Sequence, residues 1–499
     1  MRSKVTVSAS RKKPTIPRAR AAVPPRAATL PRAVALLGVL LAGGGCSTVN
    51  TVANTFLGGA SPRGEPRRLT GFIGGVAADE PRAALVAREI LALGGTAADA
   101  AVALGFALAV TLPSRAGLGG GGACLAYAPD RAGPGGGAPE AILFTPVPGG
   151  GSGGDRPAAV PMLPRGLFAL HARYGRQPFE SLIVPAEQLA RFGITTSRAL
   201  ARDLAPVAAP LLADPNARAV FAPGGQPAGE GTQLLQPDLG GTLAQLRTAG
   251  VGDLYQGALA RRLEEASRIA GGDLAVPAMR AALPRTAAPI VLPAGRDQAA
   301  FLPPPADGGL AAAAAFAHLR ANPADLAGAQ ARALSVAARW RQGGDDPAAL
   351  LASAAPGGGL RDLPASTGFV TLDREGNAVA CVLTMGNLFG TGRVAPGTGV
   401  LLAASPAALP PPLLAAGLVW NANVRGFRAA VAGSGQEGAA LAVAAGLVNA
   451  LGGAAPMPAP VPDPGRANVA ACALYLPGTE TSCGWATDPR GAGLAAGSN

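Results

Sequence analysis

Histidine is nearly missing from this chain of 499 residues: His171 and His318 are the only two. Each sits in a helical pattern, 166–171 and 315–319, where a helix-surface side chain is the ordinary reading. That scarcity argues against a Ser-His-Asp hydrolase and against a histidine-ligated zinc enzyme. A nucleophile here would need another base, and a free α-amine is one. Lysine is confined to Lys4, Lys12 and Lys13, and aromatic residues make up only 4%. Nine basic residues and no acid lie in 1–45, so of the net charge of +12 only +3 belongs to the remainder. With no basic run in that body and few aromatics to stack on bases, nucleic-acid binding loses its support.

Long apolar runs are missing too. The stretch 33–42 is apolar but too short to span a bilayer. It follows a basic region and leads through Gly43, Gly44 and Gly45 to Cys46. This order fits a signal peptide whose cleavage leaves Cys46 lipidated, or a plain secretory signal cut among the small residues. Either reading implies export, and the first implies a lipid anchor on the periplasmic face of a bacterial membrane. The other cysteines, Cys124, Cys381, Cys472 and Cys483, show no metal-site spacing, so neither metal nor cofactor is expected. Cys472 and Cys483 flank a turn-like Pro477-Gly478-Thr479; a cross-strand disulfide and two buried thiols both remain open.

What is plentiful is small and apolar: 49% hydrophobic residues, 71 glycines and 48 prolines. That length and composition suffice for one large core or two to three domains. Two helices are expected at 80–93 and 97–110, separated by Gly94-Gly95. A glycine-rich turn leads into a strand over 117–127, without the Gly-Lys-Ser/Thr of a phosphate loop. The Gly/Pro-rich 131–156 reads as a surface loop. Helices dominate 161–204 and 240–285, an Ala-rich helix covers 310–320, and strands alternate with one long helix at 439–451 beyond residue 366.

The segment 366–392, STGFVTLDREGNAVACVLTMGNLFGTG, carries the most chemistry. It reads as a β-hairpin opened by two hydroxyl residues, turned at 373–377, and followed by a Gly-Thr-Gly loop. A hydroxyl residue heading a buried strand could be the nucleophile of an N-terminal-nucleophile hydrolase, where the chain is cut just before it and the freed α-amine becomes its base. An ordinary hairpin with a polar start is the plain alternative.

Taken in order, several motifs resemble the γ-glutamyltransferase family of that superfamily. The helix pair at 90–103 is similar to its "LxxGGNAxDAAVA" landmark, and 118–122 to its glycine-rich turn. Arg173-Tyr174-Gly175-Arg176, 254–257, 303–309, 373–379, 389–392 and Asp488-Pro489-Arg490 follow in sequence. The resemblance implies an α+β fold, a four-layer αββα sandwich made from a precursor cut into two fragments that stay together. It divides the chain into a signal segment 1–46, a linker 47–74, a large-subunit-like region 75–365 and a small-subunit-like region 366–499.

By the same resemblance, Ser366 stands at the nucleophile position with Thr367 beside it, and Thr384 at the supporting threonine. The backbone of Gln436 and Glu437 falls at the oxyanion position, and Asn387 lies one place from the substrate-binding asparagine. Other positions depart from the family. Thr145 stands where an arginine grips the glutamyl carboxylate, no acid or amide occurs at 405–408, and Ala415-Ala416 replace a serine pair. These departures imply a pocket without charge for a zwitterionic glutamyl group. Three readings follow: an exported amide hydrolase or acyltransferase acting on a small amide or peptide with a neutral acyl group, a non-catalytic envelope scaffold, and a conventional γ-glutamyltransferase acting on glutathione.

Overall fold

The hairpin expected from the sequence forms as strands Ser366–Asp373 and Ala378–Thr384, in register from Ser366 opposite Thr384 to Leu372 opposite Ala378. Every residue of both strands is buried. A strand covered on both faces needs no polar alternation, which is why 378–383 reads as continuous apolar sequence. Asp373 shapes the turn: its Oδ1 accepts from the N–H groups of Glu375 and Asn377, and its Oδ2 from the N–H of Ala97, at 2.8–3.0 Å. The same carboxylate thus closes the turn and caps the start of a helix.

The computed structural model describes residues 68–498, apart from 131–136, 344–345, 354–357, 361–362 and 454–456. The expected signal segment, Cys46 and most of the linker lie outside the described residues. Two antiparallel sheets organise the rest. The seven-stranded sheet runs Leu494–Ser498, Gly74–Ala78, Ser366–Asp373, Ala378–Thr384, Gly121–Tyr127, Glu140–Phe144, Arg285–Ala287. The six-stranded sheet runs Cys483–Thr487, Arg466–Leu476, Gly426–Ser434, Ala416–Asn421, Asp297–Phe301, Ile290–Ala294.

Strand periodicity sorts the side chains into layers. Phe369, Cys381 and Leu383 enter a core shared with helices Pro81–Ala92, Ala97–Thr111, Leu163–Tyr174 and Phe179–Phe192. Their neighbours Val370, Leu372, Ala380 and Val382 face the other way, meeting Ala416, Leu418, Ala430 and Ala432 of the second sheet. Val419, Val431 and Val469 on the far face pack against helices Asp307–Ala321, Leu326–Arg341 and Ala439–Leu451. The result is helix, sheet, sheet, helix: the αββα sandwich. At Gly368 the sheets come so close that a Cβ would lie 3.0 Å from that of Ala432.

Helix Ala97–Thr111 is buried along its whole length, and its N-terminus carries a capping box in which Thr96 and Asp99 satisfy each other's backbone N–H groups. Asp99 also accepts from the N–H groups of Arg176 and Gln177, which pins the Arg173-Tyr174-Gly175-Arg176 motif to the helix start.

One expectation needs correction. The stretch 131–156 is not simply a surface loop, because Glu140–Phe144 is an interior strand of the first sheet. Its five residues are flanked by glycine and proline, which hid a short apolar run whose pairing is entirely non-local. The open cysteine question closes on the disulfide. Cys472 and Cys483 are bonded across paired strands, and Cys124 and Cys381, which had suggested no partner, form a second cross-strand disulfide.

Candidate active site

Ser366 opens its strand and is 2% exposed. Along this strand Phe369 packs toward the helices, while Val370 and Leu372 turn toward the second sheet. The alternation puts Ser366 and Gly368 on the inner face. There Ser366 borders a cavity of about 260 Å³ together with Ala365 and the loop Ser434-Gly435-Gln436. That loop turns from strand Gly426–Ser434 into helix Ala439–Leu451 through left-handed backbone at Gly435 and Gln436.

Thr384 sits directly opposite Ser366 in the ladder. Its hydroxyl donates to the Ala365 carbonyl at 3.0 Å and accepts from the Gly386 N–H at 2.9 Å. The carbonyl that precedes Ser366 is therefore already hydrogen-bonded by a buried side chain. Thr367 faces away from the cavity, and its hydroxyl donates to Asp79 at 2.8 Å.

Asp79 gathers the strand head. It follows strand Gly74–Ala78, which pairs with the strand that Ser366 opens, and it accepts from the Thr367 hydroxyl, the Gly368 N–H at 3.3 Å and the Asn468 side-chain amide at 2.8 Å. Asn468 also donates to the Gly368 carbonyl at 2.7 Å. Since Asn468 belongs to the second sheet, this network ties both sheets to the residues just after Ser366.

The cavity walls carry Arg115, Arg202, Arg466 and Arg490, along with Asp79. Arg115 grips Asp203 through two nitrogens at 2.5 and 2.7 Å, and its remaining terminal nitrogen lies 3.5 Å from the Ser366 carbonyl oxygen. Burial opposes the Arg115 charge, but Asp203, hydrogen-bonded and opposite in charge, more than offsets it and holds the group above its ordinary pKa. Arg490 is bidentate to Asp488 and also meets Asp463, which Arg466 shares at 2.6 Å. Arg202 is exposed, donates to the Arg490 carbonyl at 3.3 Å and has no carboxylate partner among the described residues. The expectation of an uncharged pocket therefore fails. The resemblance puts Thr145 where the family has an arginine, yet four arginines from other segments line the cavity, three of them paired with carboxylates.

Not every expected residue arrives. Gln436 lines the cavity but Glu437 does not, and the Glu437 carbonyl instead accepts from Gln330. Asn387 is exposed and does not line it either. His171 bonds the Gln177 carbonyl and His318 bonds Asp325, so both serve helix ends rather than this site. Asp79, Asn468, Arg115 and Arg202 carry no motif of their own. The one sequence signal available for them is Asp79's place at the end of the run 72–78.

A family model described as gamma-glutamyltranspeptidase matches residues 83–332. The chain belongs to the gamma-glutamyltranspeptidase family. It is 28% identical over 381 residues to the glutathione hydrolase proenzyme of Escherichia coli K12, covering 66% of this chain and 65% of that protein. It is 30% identical over 215 residues to glutathione hydrolase 3 of Arabidopsis thaliana, covering 42% and 34%. The matched stretch thus spans less than two thirds of either relative. Acylase ACY 1 proenzyme of Pseudomonas sp. V22 is 30% identical over 231 residues, covering 42% of this chain and 40% of its own. The fold is shared with cephalosporin acylase from Bacillus halodurans, at a TM-score of 0.68 and 19% identity, over 88% of this chain and 98% of that one. These are N-terminal-nucleophile hydrolase folds, and this gamma-glutamyltranspeptidase-family chain is a divergent one. The family match ends before Ser366, so the role of that serine rests on its geometry.

Proposed function

We propose that the protein is an exported amide hydrolase or acyltransferase that cuts itself before Ser366 and then uses Ser366 as its nucleophile. The observation that carries this reading is the Thr384 hydroxyl on the Ala365 carbonyl, with Ser366 bordering the cavity beside it. In the first step the Ser366 Oγ attacks the Ala365 carbonyl carbon. The developing oxyanion keeps its bond from Thr384, a donor placed before charge appears. The carbon–nitrogen bond then breaks, the departing nitrogen takes up the hydroxyl proton, and water hydrolyses the ester. The products are a carboxylate at Ala365 and a free α-amine on Ser366.

In turnover that amine accepts the Ser366 proton as Oγ attacks the substrate's acyl carbon, and returns it to the leaving amine. The Gln436 N–H, at the cavity wall, is the proposed oxyanion donor for this second attack. The acyl group is one that carries an anion, because Arg202 faces the cavity without a carboxylate of its own among the described residues. No acid or amide occurs at 405–408 to receive an α-ammonium, which disfavours glutamyl itself. Several relatives are named as proenzymes, in keeping with a precursor that is cut. The two disulfides support an oxidising compartment, and with the basic and apolar N-terminal segment ending at Cys46 they favour export with a lipid anchor.

A non-catalytic scaffold is the second reading, favoured by Thr145 and the bare 405–408 stretch where the family binds its substrate. Intact mass of the reduced, purified protein separates the two. Two fragments joining at 365/366, abolished in Ser366→Ala, support the enzyme; a single wild-type chain overturns it.

A further inference from the structure

The two fragments that such a cut would create are joined by a bond the cut does not touch. Cys124 lies in strand Gly121–Tyr127 and Cys381 in strand Ala378–Thr384, directly opposite each other in the central part of the seven-stranded sheet. They are 257 residues apart in sequence and bonded. The peptide between Ala365 and Ser366 lies within the loop that this disulfide closes. Cys472–Cys483, by contrast, lies wholly beyond Ser366.

We infer that the mature protein is a covalent two-chain molecule, with residues 1–365 or their processed remainder held to 366–499 through Cys124–Cys381. The inference rests on the cleavage reading above. Before the cut the bond is a crosslink within one chain; afterwards it is, among the described residues, the one disulfide that joins the fragments, since the second lies wholly beyond Ser366.

The placement has a consequence for the site. Strand Ala378–Thr384 pairs on one side with the nucleophile strand and on the other with Gly121–Tyr127. Thr384 lies three residues from Cys381 on the tethered strand, opposite Gly121 as well as Ser366. Once Ser366 becomes a chain terminus, its strand loses the covalent anchor on its N-terminal side. The crosslink then holds the register of the partner strand that carries Thr384. Linked fragments also stay together at any dilution, because reassociation is intramolecular. Both sulfurs belong to residues with no solvent exposure, so folded protein should resist mild reductant.

The experiment is mass spectrometry and denaturing gel analysis of the purified wild-type protein, with and without reductant. Without reductant, the denatured protein should run as one species whose mass is the uncut chain plus one water; with reductant it should give two fragments. Fragments that separate in denaturant without reductant overturn the tether and leave the catalytic reading standing. A single chain even after reduction overturns both. Cys381→Ser and Cys124→Ser should each release the fragments without reductant, whereas Cys472→Ser should keep them joined. If the first two variants do not accumulate as folded protein, peptide mapping of non-reduced wild type decides: a peptide containing Cys124 crosslinked to one containing Cys381 supports the tether, and both cysteines alkylated as free thiols overturn it.

Discussion

Replacing Thr384 with valine removes one oxygen and keeps the shape. That oxygen has two partners: it donates to the Ala365 carbonyl at 3.0 Å and accepts from the Gly386 N–H at 2.9 Å. The first loss acts on rate. Removing a preorganised donor from a developing oxyanion costs about 100- to 1000-fold, or about 2.7–4 kcal/mol. The second acts on stability, since an N–H stripped of its partner in the interior costs about 1–3 kcal/mol. Thr384→Val should therefore fold with a modestly lower melting temperature and self-cleave at least about a hundred times more slowly. Thr384→Ser, which retains the hydroxyl, should cleave nearly as wild type. The assay follows the ratio of uncut to cut chain on reducing gels after induction, with melting curves on the same samples. If the valine variant cleaves at the wild-type rate, or if valine and serine behave alike, the Thr384 hydroxyl does not assist the attack.

Three further outcomes follow from the same contacts. Asp79→Ala strips partners from the Thr367 hydroxyl, the Gly368 N–H and the Asn468 amide, and should lower stability by about 3–5 kcal/mol in chemical denaturation, more than Thr367→Val. Burial pushes Asp373 up to about 6, against the pull of the donors around it. Its folded value exceeds its unfolded one, so its contribution is complete at low pH and is lost as pH rises through about 6, some 3 kcal/mol in all. Denaturant midpoints of wild type should accordingly fall from about pH 4 to about pH 6 and level off above it, and Asp373→Asn should flatten that slope. Arg202→Ala should raise KM for a dicarboxylic half-amide while leaving a neutral amide unchanged; equal effects on both substrates would remove Arg202 from acyl recognition.

The elements legible in sequence were those whose signal is local. The hairpin at 366–384 announced itself by a turn cluster between two strand-like runs, and helix Ala439–Leu451 by an apolar stretch interrupted only by Asn449 and stopped at Gly452 and Gly453. The strand Glu140–Phe144 did not, because five residues between glycine-rich flanks carry little periodicity and their pairing partner lies elsewhere in the chain. The same limit hid the Cys124–Cys381 bond: neither cysteine has a neighbour in sequence that marks it, and only strand register brings them together.

By itself, then, the sequence determined the family resemblance, the hairpin and the hydroxyl residues at its head, because these depend on short stretches whose chemistry is complete in place. Tertiary structure decided what surrounds Ser366. Asp79, Arg115, Arg202 and Arg490 come from segments far apart, and their meeting at one cavity is a product of sheet order and helix packing. The departures from the family's pattern suggested a bare pocket; the folded sheets placed four arginines around the cavity, since a side chain's electrostatic neighbours are set by distance in space.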